Sequence, residues 1–358
     1  MNYQIPTLPL DDNIETIAVL KSVALARSAL AEMKGTALSI PNESILINTL
    51  SLQEAKDSSA IENIITTHDE LYAFDYTAQD FSSVASKEVH RYAEALQWGF
   101  RVVKEQGILT NNHIIKIQSA LEGHESGFRK VPGTTLKNEQ TGEVVYTPPQ
   151  SLVEIKRYME NLESFLNESE LSLLDPLVKM AIIHHQFESI HPFYDGNGRT
   201  GRIINILFLV KEGLMNLPIL YLSRFINRNK SDYYRLLQSV REKSNWEEWI
   251  LFMLEGVTRT SLETIETING IKQSMQKYKN AMRKELPKVY SQDLLNNLFR
   301  HPYTKIDFVM RDLSVSRPTA TSYLNQLESI GLIKKHRIGR ENFYINHELF
   351  RLLANVSH

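Results

Sequence analysis

The segment His191-Pro192-Phe193-Tyr194-Asp195-Gly196-Asn197-Gly198-Arg199-Thr200-Gly201-Arg202 decides how the rest of this 358-residue chain is read. It gathers a candidate base, a carboxylate, two glycines around an asparagine, and two arginines. Apolar helical patterns flank it, Leu177 to Ile183 before and Ile203 to Val210 after. The expected geometry is a polar loop clamped between two core helices and running into the N-terminus of the second.

These residue types fit one chemistry. Arg199 and Arg202 are three apart, so at a helix start they project to the same side. Gly196 and Gly198 free the backbone to turn N–H groups toward an anion at the positive helix end. Asp195 carries the hard oxygen that Mg2+ prefers, and Mg2+ usually travels with substrate phosphates. His191 is suited to take a proton from an attacking hydroxyl near neutral pH. Together they imply transfer of a phosphorus-centred group to a hydroxyl. Other motif readings fail. Gly196 to Gly201 spells G-x-G-x-x-G, but no strand precedes it and no acid stands about 20 positions later to hold a ribose. No Lys-Ser/Thr follows the last glycine, which excludes a Walker A loop. A metal cluster of His184, His185, His191 and Asp195 is set aside, because two of those histidines lie on the incoming helix, where packing explains them.

Composition bounds the rest. Hydrophobic residues make up 42% and the net charge is -2, as in an ordinary soluble protein. Without cysteines there are no disulfides and no thiolate metal sites. The N-terminus lacks the basic and apolar regions of a signal peptide. No apolar run approaches the roughly 20 residues that span a bilayer. The expected compartment is the cytoplasm, with no membrane partner.

Outward from the motif, the spacing predicts helices over 12–34, 87–106, 111–121, 151–167, 175–189, 219–238 and 246–270, with a polar helix over 270–286. Asn42 is expected to cap a helix carrying Ile45, Leu46 and Leu50, followed by a separate helix over about 52–72. On that second helix Ser58 and Glu62 share a face; by themselves they read as a solvated pair. Residues 134–148 read as a hairpin, with its turn at Asn138 to Gly142 and a return strand from Val144 to Thr147. A lone hairpin must pack on the helices or offer an edge to another chain. From Lys288 onward, three short helices (294–299, 306–313, 317–330) and a strand-turn-strand spell a winged helix-turn-helix. Ser316 caps its third helix and Pro318 sits in the first turn. This last unit has ten Lys/Arg against six Asp/Glu, a net +4.

His191 to Arg202 fits the Fic-domain signature H-P-F-x-D/E-G-N-G-R-x-x-R at every fixed position. With its N-terminal helices, hairpin and Tyr233-Tyr234 helix, nearly the whole chain resembles Fic proteins that carry an N-terminal inhibitory helix (class II type) and a C-terminal winged helix. The implied fold is mainly α: a Fic helical core with a β-hairpin flap, plus a small C-terminal winged helix-turn-helix domain. The implied domains are an N-terminal region 1–110, a core 111–287 and a winged helix 288–358.

The resemblance implies a protein adenylyltransferase that moves AMP from Mg-ATP to a Ser, Thr or Tyr hydroxyl of a target protein, itself included. His191 would be the base and Asp195 the Mg2+ ligand. Gly196, Asn197 and Gly198 would form the anion hole, Arg199 would meet the β-phosphate and Arg202 the γ-phosphate. Tyr234 matches a position close to the adenine, although some relatives carry Asn where this chain has Arg241. The flap residues Thr134, Thr135, Leu136, Val144, Val145 and Tyr146 would align the target segment. Ser58-Ser59-Ala60-Ile61-Glu62-Asn63 fits the family's inhibitory motif S/T-x-x-x-E-G/N, which reverses the solvated reading of Glu62. Glu62 would pair with Arg202 and misalign ATP. Two alternatives stand beside this reading. One is removal of AMP using Glu62. The other is a DNA-binding regulator with Arg317, Thr319, Thr321, Ser322, Lys334, Lys335, Arg337 and Arg340 at the winged helix, where a protein partner is the competing expectation. A homodimer is compatible with the sequence.

Overall fold

A helix that is apolar on every face is stable only at the centre of a protein, and the two helices flanking the motif have that character. The computed structural model, which describes residues 3–10, 13–72, 83–137, 141–338 and 341–354, places both there. In chain order the helices are α1 (Ile17–Ala37), α2 (Glu43–Ile61), α3 (His68–Tyr72), α4 (Val84–Gln106), α5 (Asn111–Glu122), α6 (Leu152–Asn167), α7 (Pro176–Ile190) and α8 (Asn197–Lys211). Then come α9 (Leu222–Arg228), α10 (Lys230–Lys243), α11 (Trp246–Glu285), α12 (Gln292–Arg300), α13 (Ile306–Leu313), α14 (Arg317–Ser329) and α15 (His347–Ala354). Every residue of α7 from Leu177 to Ile190 is buried, as is α8 from Arg199 to Leu209. Each buried Leu, Ile or Phe contributes roughly 1.5–3 kcal/mol, so this pair is the platform on which the site stands. Around it α4 and α5 pack on α8, α6 and α11 on α7, and α2 on α4, α8 and α9; α1 lies along α11.

Several expected boundaries move, the first because Thr16 caps α1 and the helix begins at Ile17 instead of residue 12. No Gly or Pro interrupts residues 50–55, so α2 continues past Leu52 to Ile61. The segment expected as a helix over 52–72 is therefore the second half of α2, a turn at Glu62 and Asn63 (φ 62), and the short α3. The expected 219–238 helix divides at Asn229, whose side-chain amide donates to the Phe225 carbonyl at 2.9 Å and so competes with the helix backbone. Gly270 ends nothing: α11 runs through it for 40 residues, and the Leu352 side chain packs where a Cβ at 270 would stand.

The hairpin is short. Its strands β1 (Leu136–Lys137) and β2 (Val144–Tyr146) pair antiparallel with a register shift between Leu136 and Lys137. Turn residues Asn138, Glu139 and Gln140 lie outside the described residues, as does Arg340 of the wing. In the C-terminal unit, β3 (Tyr303–Thr304), β4 (Lys334–Ile338) and β5 (Glu341–Ile345) form a sheet in the order β3-β5-β4. The three helices and the two-stranded wing expected there are present. Ser316 caps α14 through the Thr319 amide, and Leu324 and Leu327 are buried. Strand β3 and helix α15 were not legible in the sequence. This unit leans on the N-terminal helices: Arg300 Nε donates to Ser44 Oγ at 3.1 Å, the Tyr303 hydroxyl donates to Asp69, and the Tyr303 ring stacks on Tyr72 at 6.3 Å.

Glu54 on α2 is buried, accepting from the Ser223 amide at 3.1 Å, the Ser223 hydroxyl and the Tyr92 hydroxyl. Burial outweighs those bonds and pushes its carboxyl from 4.5 up to about 7. The folded protein then holds a proton that the unfolded chain releases, so stability falls as pH rises from about 4.5 to about 7, by roughly 3 kcal/mol at most. Glu54→Gln is expected to remove that decline, so the difference in unfolding free energy between variant and wild type grows across this window. Urea unfolding at several pH values checks it.

Candidate active site

The motif divides between loop and helix. Residues 191–196 are loop, and α8 begins at Asn197, so both arginines lie on its first two turns. His191 caps the C-terminus of α7 in the left-handed region (φ 48, ψ 60), donating its amide to Phe187 at 2.9 Å. For a residue with a Cβ this conformation costs about 1–2 kcal/mol, and it turns the chain away from the helix axis. Gly196 (φ 73) makes the second turn, where a conformation with positive φ suits glycine. The Asn197 side chain is a brace: its Oδ1 accepts the Phe193 amide and its Nδ2 donates to the Phe193 carbonyl, both at 2.9 Å. Any share Asn197 has in an anion hole therefore falls to its backbone, at a helix start with no side-chain cap.

Both arginines are 3% exposed and already hold anions. Arg202 donates through Nε to Ser58 Oγ at 2.7 Å, and through Nη2 to the Ser58 carbonyl at 3.0 Å and Glu62 Oε1 at 2.8 Å. The other oxygen of Glu62 is ion-paired with Arg199 Nε at 2.8 Å. Arg199 also meets Glu88 of α4 and Glu122 of α5, each at 3.0 Å. The Glu62 pairing was thus expected for Arg202 alone, and it spans both arginines. Burial is the largest influence on the Arg202 guanidinium and lowers it, but Glu62 together with Tyr233, Tyr92 and Glu188 outweighs it, and the net shift is upward. Glu62 Oε1 also lies 2.5 Å from where a Cβ of Gly198 would stand, and Glu122 occupies the same place at Gly196. A side chain at either glycine would collide with a carboxylate. Asn63, the last inhibitory-motif residue, follows in the left-handed region and accepts from Lys230 at 3.3 Å.

Asp195 is exposed, with Oδ1 taking the Gly196 amide at 2.7 Å. Among the described residues no three His, Asp or Glu side chains form a closed metal cluster. One accessible carboxylate beside an anion site nevertheless fits Mg2+, which binds through one or two carboxylates plus substrate phosphates and water. His184 and His185 are structural, bonded to the Tyr233 hydroxyl at 2.8 Å and the Leu237 carbonyl at 3.2 Å.

On the flap, Val144 and Val145 are exposed, while Thr134, Thr135 and Leu136 are half-buried. Tyr146 turns inward instead of outward: its hydroxyl donates to the Ser189 carbonyl at 2.8 Å and its ring lies under the Arg241 guanidinium at 4.1 Å. Arg241 also donates to Ser189 Oγ at 3.2 Å, which makes it a flap support. Tyr234 is half-exposed on α10 beside the buried Tyr233. In the winged helix Arg317 is paired with Asp307 at 2.8 Å, while Lys334, Lys335 and Arg337 are exposed on β4.

Four residues at the site had no motif to announce them: Glu88, Glu122, Arg129 and Glu188. Glu122 had a quieter signal, since it ends α5 with no basic residue in the last turn, although helix C-termini favour cations. Glu188 is buried near Arg202, with Oε1 unpartnered, and burial pushes its carboxyl up to about 7.

Three stretches match family models: residues 20–101 the Fic/DOC family N-terminal model, 108–209 the Fic/DOC family model, and 274–349 the C-terminal domain of the protein adenylyltransferase SoFic-like group. The chain is 26% identical over 159 residues to "Protein adenylyltransferase Fic" of Aedes aegypti, covering 44% of this chain and 30% of that one. A "Probable protein adenylyltransferase" of Aquifex aeolicus is 33% identical over 97 residues, 27% of each chain. The chain therefore spans less than a third of the length of these relatives. A Fic family protein from Desulfovibrio desulfuricans G20 shares the fold over 96% of this chain and 98% of its own, with TM-score 0.58 and 21% identity. A Fic domain containing signaling protein from Bacteroides thetaiotaomicron does so over 71% of this chain and 97% of its own, at TM-score 0.53 and 18% identity.

Burial first, then the nearby Arg129 and Arg241 guanidinium groups, lower the His191 imidazole to about 3. The ring is therefore neutral, able to accept a proton, across the whole range from about pH 5 to 8. A 15N NMR titration of histidine-labelled protein is expected to show no protonation of His191 above about pH 5; a midpoint near 6.5 would refute this.

Proposed function

We infer that this chain, which belongs to the Fic/DOC family, transfers AMP from ATP to a hydroxyl side chain of a target protein and holds itself off through Glu62. The observation that carries the reading is the Glu62 carboxylate shared between Arg199 and Arg202. Two buried guanidinium groups three residues apart at a helix start form a polyphosphate site, and a carboxylate of the same chain fills it.

In the transfer step the target hydroxyl oxygen attacks the α-phosphorus of ATP. The new O–P bond forms as the bond from the α-phosphorus to the β-phosphate bridge breaks, and pyrophosphate leaves. His191, neutral and beside the flap, takes the hydroxyl proton. Arg199 and Arg202 hold the departing β- and γ-phosphates, and the N–H groups opening α8 stabilise the charge that develops there. Mg2+ fits at Asp195, where it supplies charge neutralisation to the phosphates. The exposed edge at Val144 and Val145 aligns the target segment by strand addition. Tyr234 stands on the adenine side.

With Glu62 in place neither arginine can receive a phosphate without breaking an ion pair. Its removal frees Arg199 Nε and leaves the buried Arg202 without its Glu62 ion pair, which strengthens binding of a polyphosphate. Glu62→Gly is expected to raise incorporation of radiolabel from α-labelled ATP by roughly 10²-fold, and His191→Ala to abolish it in both backgrounds. Equal labelling by wild type and Glu62→Gly refutes the inhibitory role. Faster loss of AMP from modified protein with wild type than with Glu62→Gly supports the reverse reaction instead.

The exposed run of Lys334, Lys335 and Arg337 on β4 supports a second, separate reading in which the winged helix docks on DNA. Retention of duplex DNA by the full chain in a gel shift, weakening steeply between 50 and 200 mM salt, is the expected result. No retention at low salt counts against it.

A further inference from the structure

Arg129 lies outside the motif, in the loop between α5 and β1, and is 1% exposed. A buried guanidinium is normally matched by a carboxylate, yet among the described residues this one makes no ion pair. Its partners are carbonyls. Nε donates to the His191 carbonyl at 2.8 Å, and Nη2 donates to the Pro149 carbonyl and, at 3.5 Å, to that of Ile190. Nη1 is buried without a hydrogen bond. The Arg129 amide donates to the Pro192 carbonyl at 2.8 Å.

The carbonyls caught in this way come from two places that the reaction must keep in register. His191 stands in the left-handed region, so its carbonyl points away from the α7 ladder and needs a donor from elsewhere. Arg129 is that donor, gripping the chain on both sides of the base at Ile190, His191 and Pro192. Pro149 ends the segment that leaves β2, the strand with the exposed edge. A second tie runs parallel to the first, from Tyr146 to the Ser189 carbonyl under Arg241.

We propose that Arg129 is a positioning residue for AMP transfer: one guanidinium clamps the His191 and Pro149 carbonyls and so sets the separation between the base and the strand that presents the acceptor hydroxyl. This rests on the reading of His191 as base and of the hairpin as the acceptor-docking strand. The hydrogen bonds of Arg129 go to the His191, Pro149, Ile190 and Pro192 carbonyls and to none of the side chains assigned to ATP, so its loss is expected to separate the chemical step from nucleotide binding. A plain loop staple would lower thermal stability without such a split.

The test uses the full chain in the Glu62→Gly background, with Arg129→Lys and Arg129→Met compared to the parent. Three quantities are measured: the rate of self-labelling from α-labelled ATP at saturating nucleotide, the affinity for a fluorescent ATP analogue with Mg2+, and hydrogen exchange at 144–150 and 189–193. The expected result for Arg129→Met is a labelling rate down roughly 10²-fold, as a displacement near 1 Å can produce, with nucleotide affinity within about 2-fold. Exchange should rise in both segments together. Arg129→Lys, whose ammonium reaches one carbonyl but not two, recovers part of the rate. An unchanged rate, or rate and affinity falling in parallel, overturns the proposal. If the Glu62→Gly parent labels neither itself nor any protein of an added lysate, the functional reading fails by itself and exchange alone decides: joint loss of protection keeps the clamp, and unchanged protection sinks it.

Discussion

One carboxylate bridging two arginines organises this molecule. Glu62 gives one oxygen to Arg199 and the other to Arg202, and both arginines belong to the buried helix α8. A guanidinium placed there must have anions around it or the helix would carry uncompensated charge into the core. The fold supplies them from three directions: Glu62 at the end of α2, Glu88 from α4 and Glu122 from α5, with the neutral Ser58 adding hydrogen bonds to Arg202. The positions of those helices are thus constrained by the charge on α8 as well as by apolar packing. In the proposed function a polyphosphate would meet the same constraint in place of Glu62.

Cation and base are arranged on opposite principles. Arg202 is embedded and kept charged, while His191 is enclosed and kept neutral by burial and by two guanidinium groups. Both states follow from which partners each side chain has. Arg202 faces carboxylate and hydroxyl oxygens. His191 faces cations, with the Glu188 carbonyl offering only weak opposition. The glycines of the motif share in this arrangement by absence, since Gly196 and Gly198 leave the space that carboxylates now fill and that phosphate oxygens require.

Much of this was legible in the sequence because the motif is dense and its chemistry local. The apolar stretches 177–183 and 203–210 and the caps at Asn42 and Ser316 follow from spacing and residue type, whereas spacing alone reads Ser58 and Glu62 as solvated, and only the resemblance points Glu62 at Arg202. What escaped was set at long range. Glu88 and Glu122 act 111 and 77 residues from Arg199, and no local pattern marks them. Arg129 meets His191 across 62 residues. The merging of two expected helices into α2 and the continuity of α11 through Gly270 depend on what packs against them, which propensity does not record. Tyr146 illustrates the limit within a single strand: alternation places it opposite Val145, but only the tertiary fold shows that Arg241 and Ser189 claim it.

The C-terminal unit touches the chain on both sides of Glu62. Arg300 holds Ser44 at the start of α2, while Tyr303 holds Asp69 and Tyr72 just beyond the turn that Glu62 begins. The segment that carries Glu62 is therefore tethered at two points by residues more than 200 positions downstream. Any movement that withdraws Glu62 from the two arginines must be accommodated by those tethers or break them. Linkage makes the relation reciprocal: to the extent that moving Glu62 strains Ser44, Asp69 and Tyr72, loosening the C-terminal unit eases that movement by the same free energy. The pairing of Glu62 and the docking of the C-terminal unit are then two readings of one equilibrium.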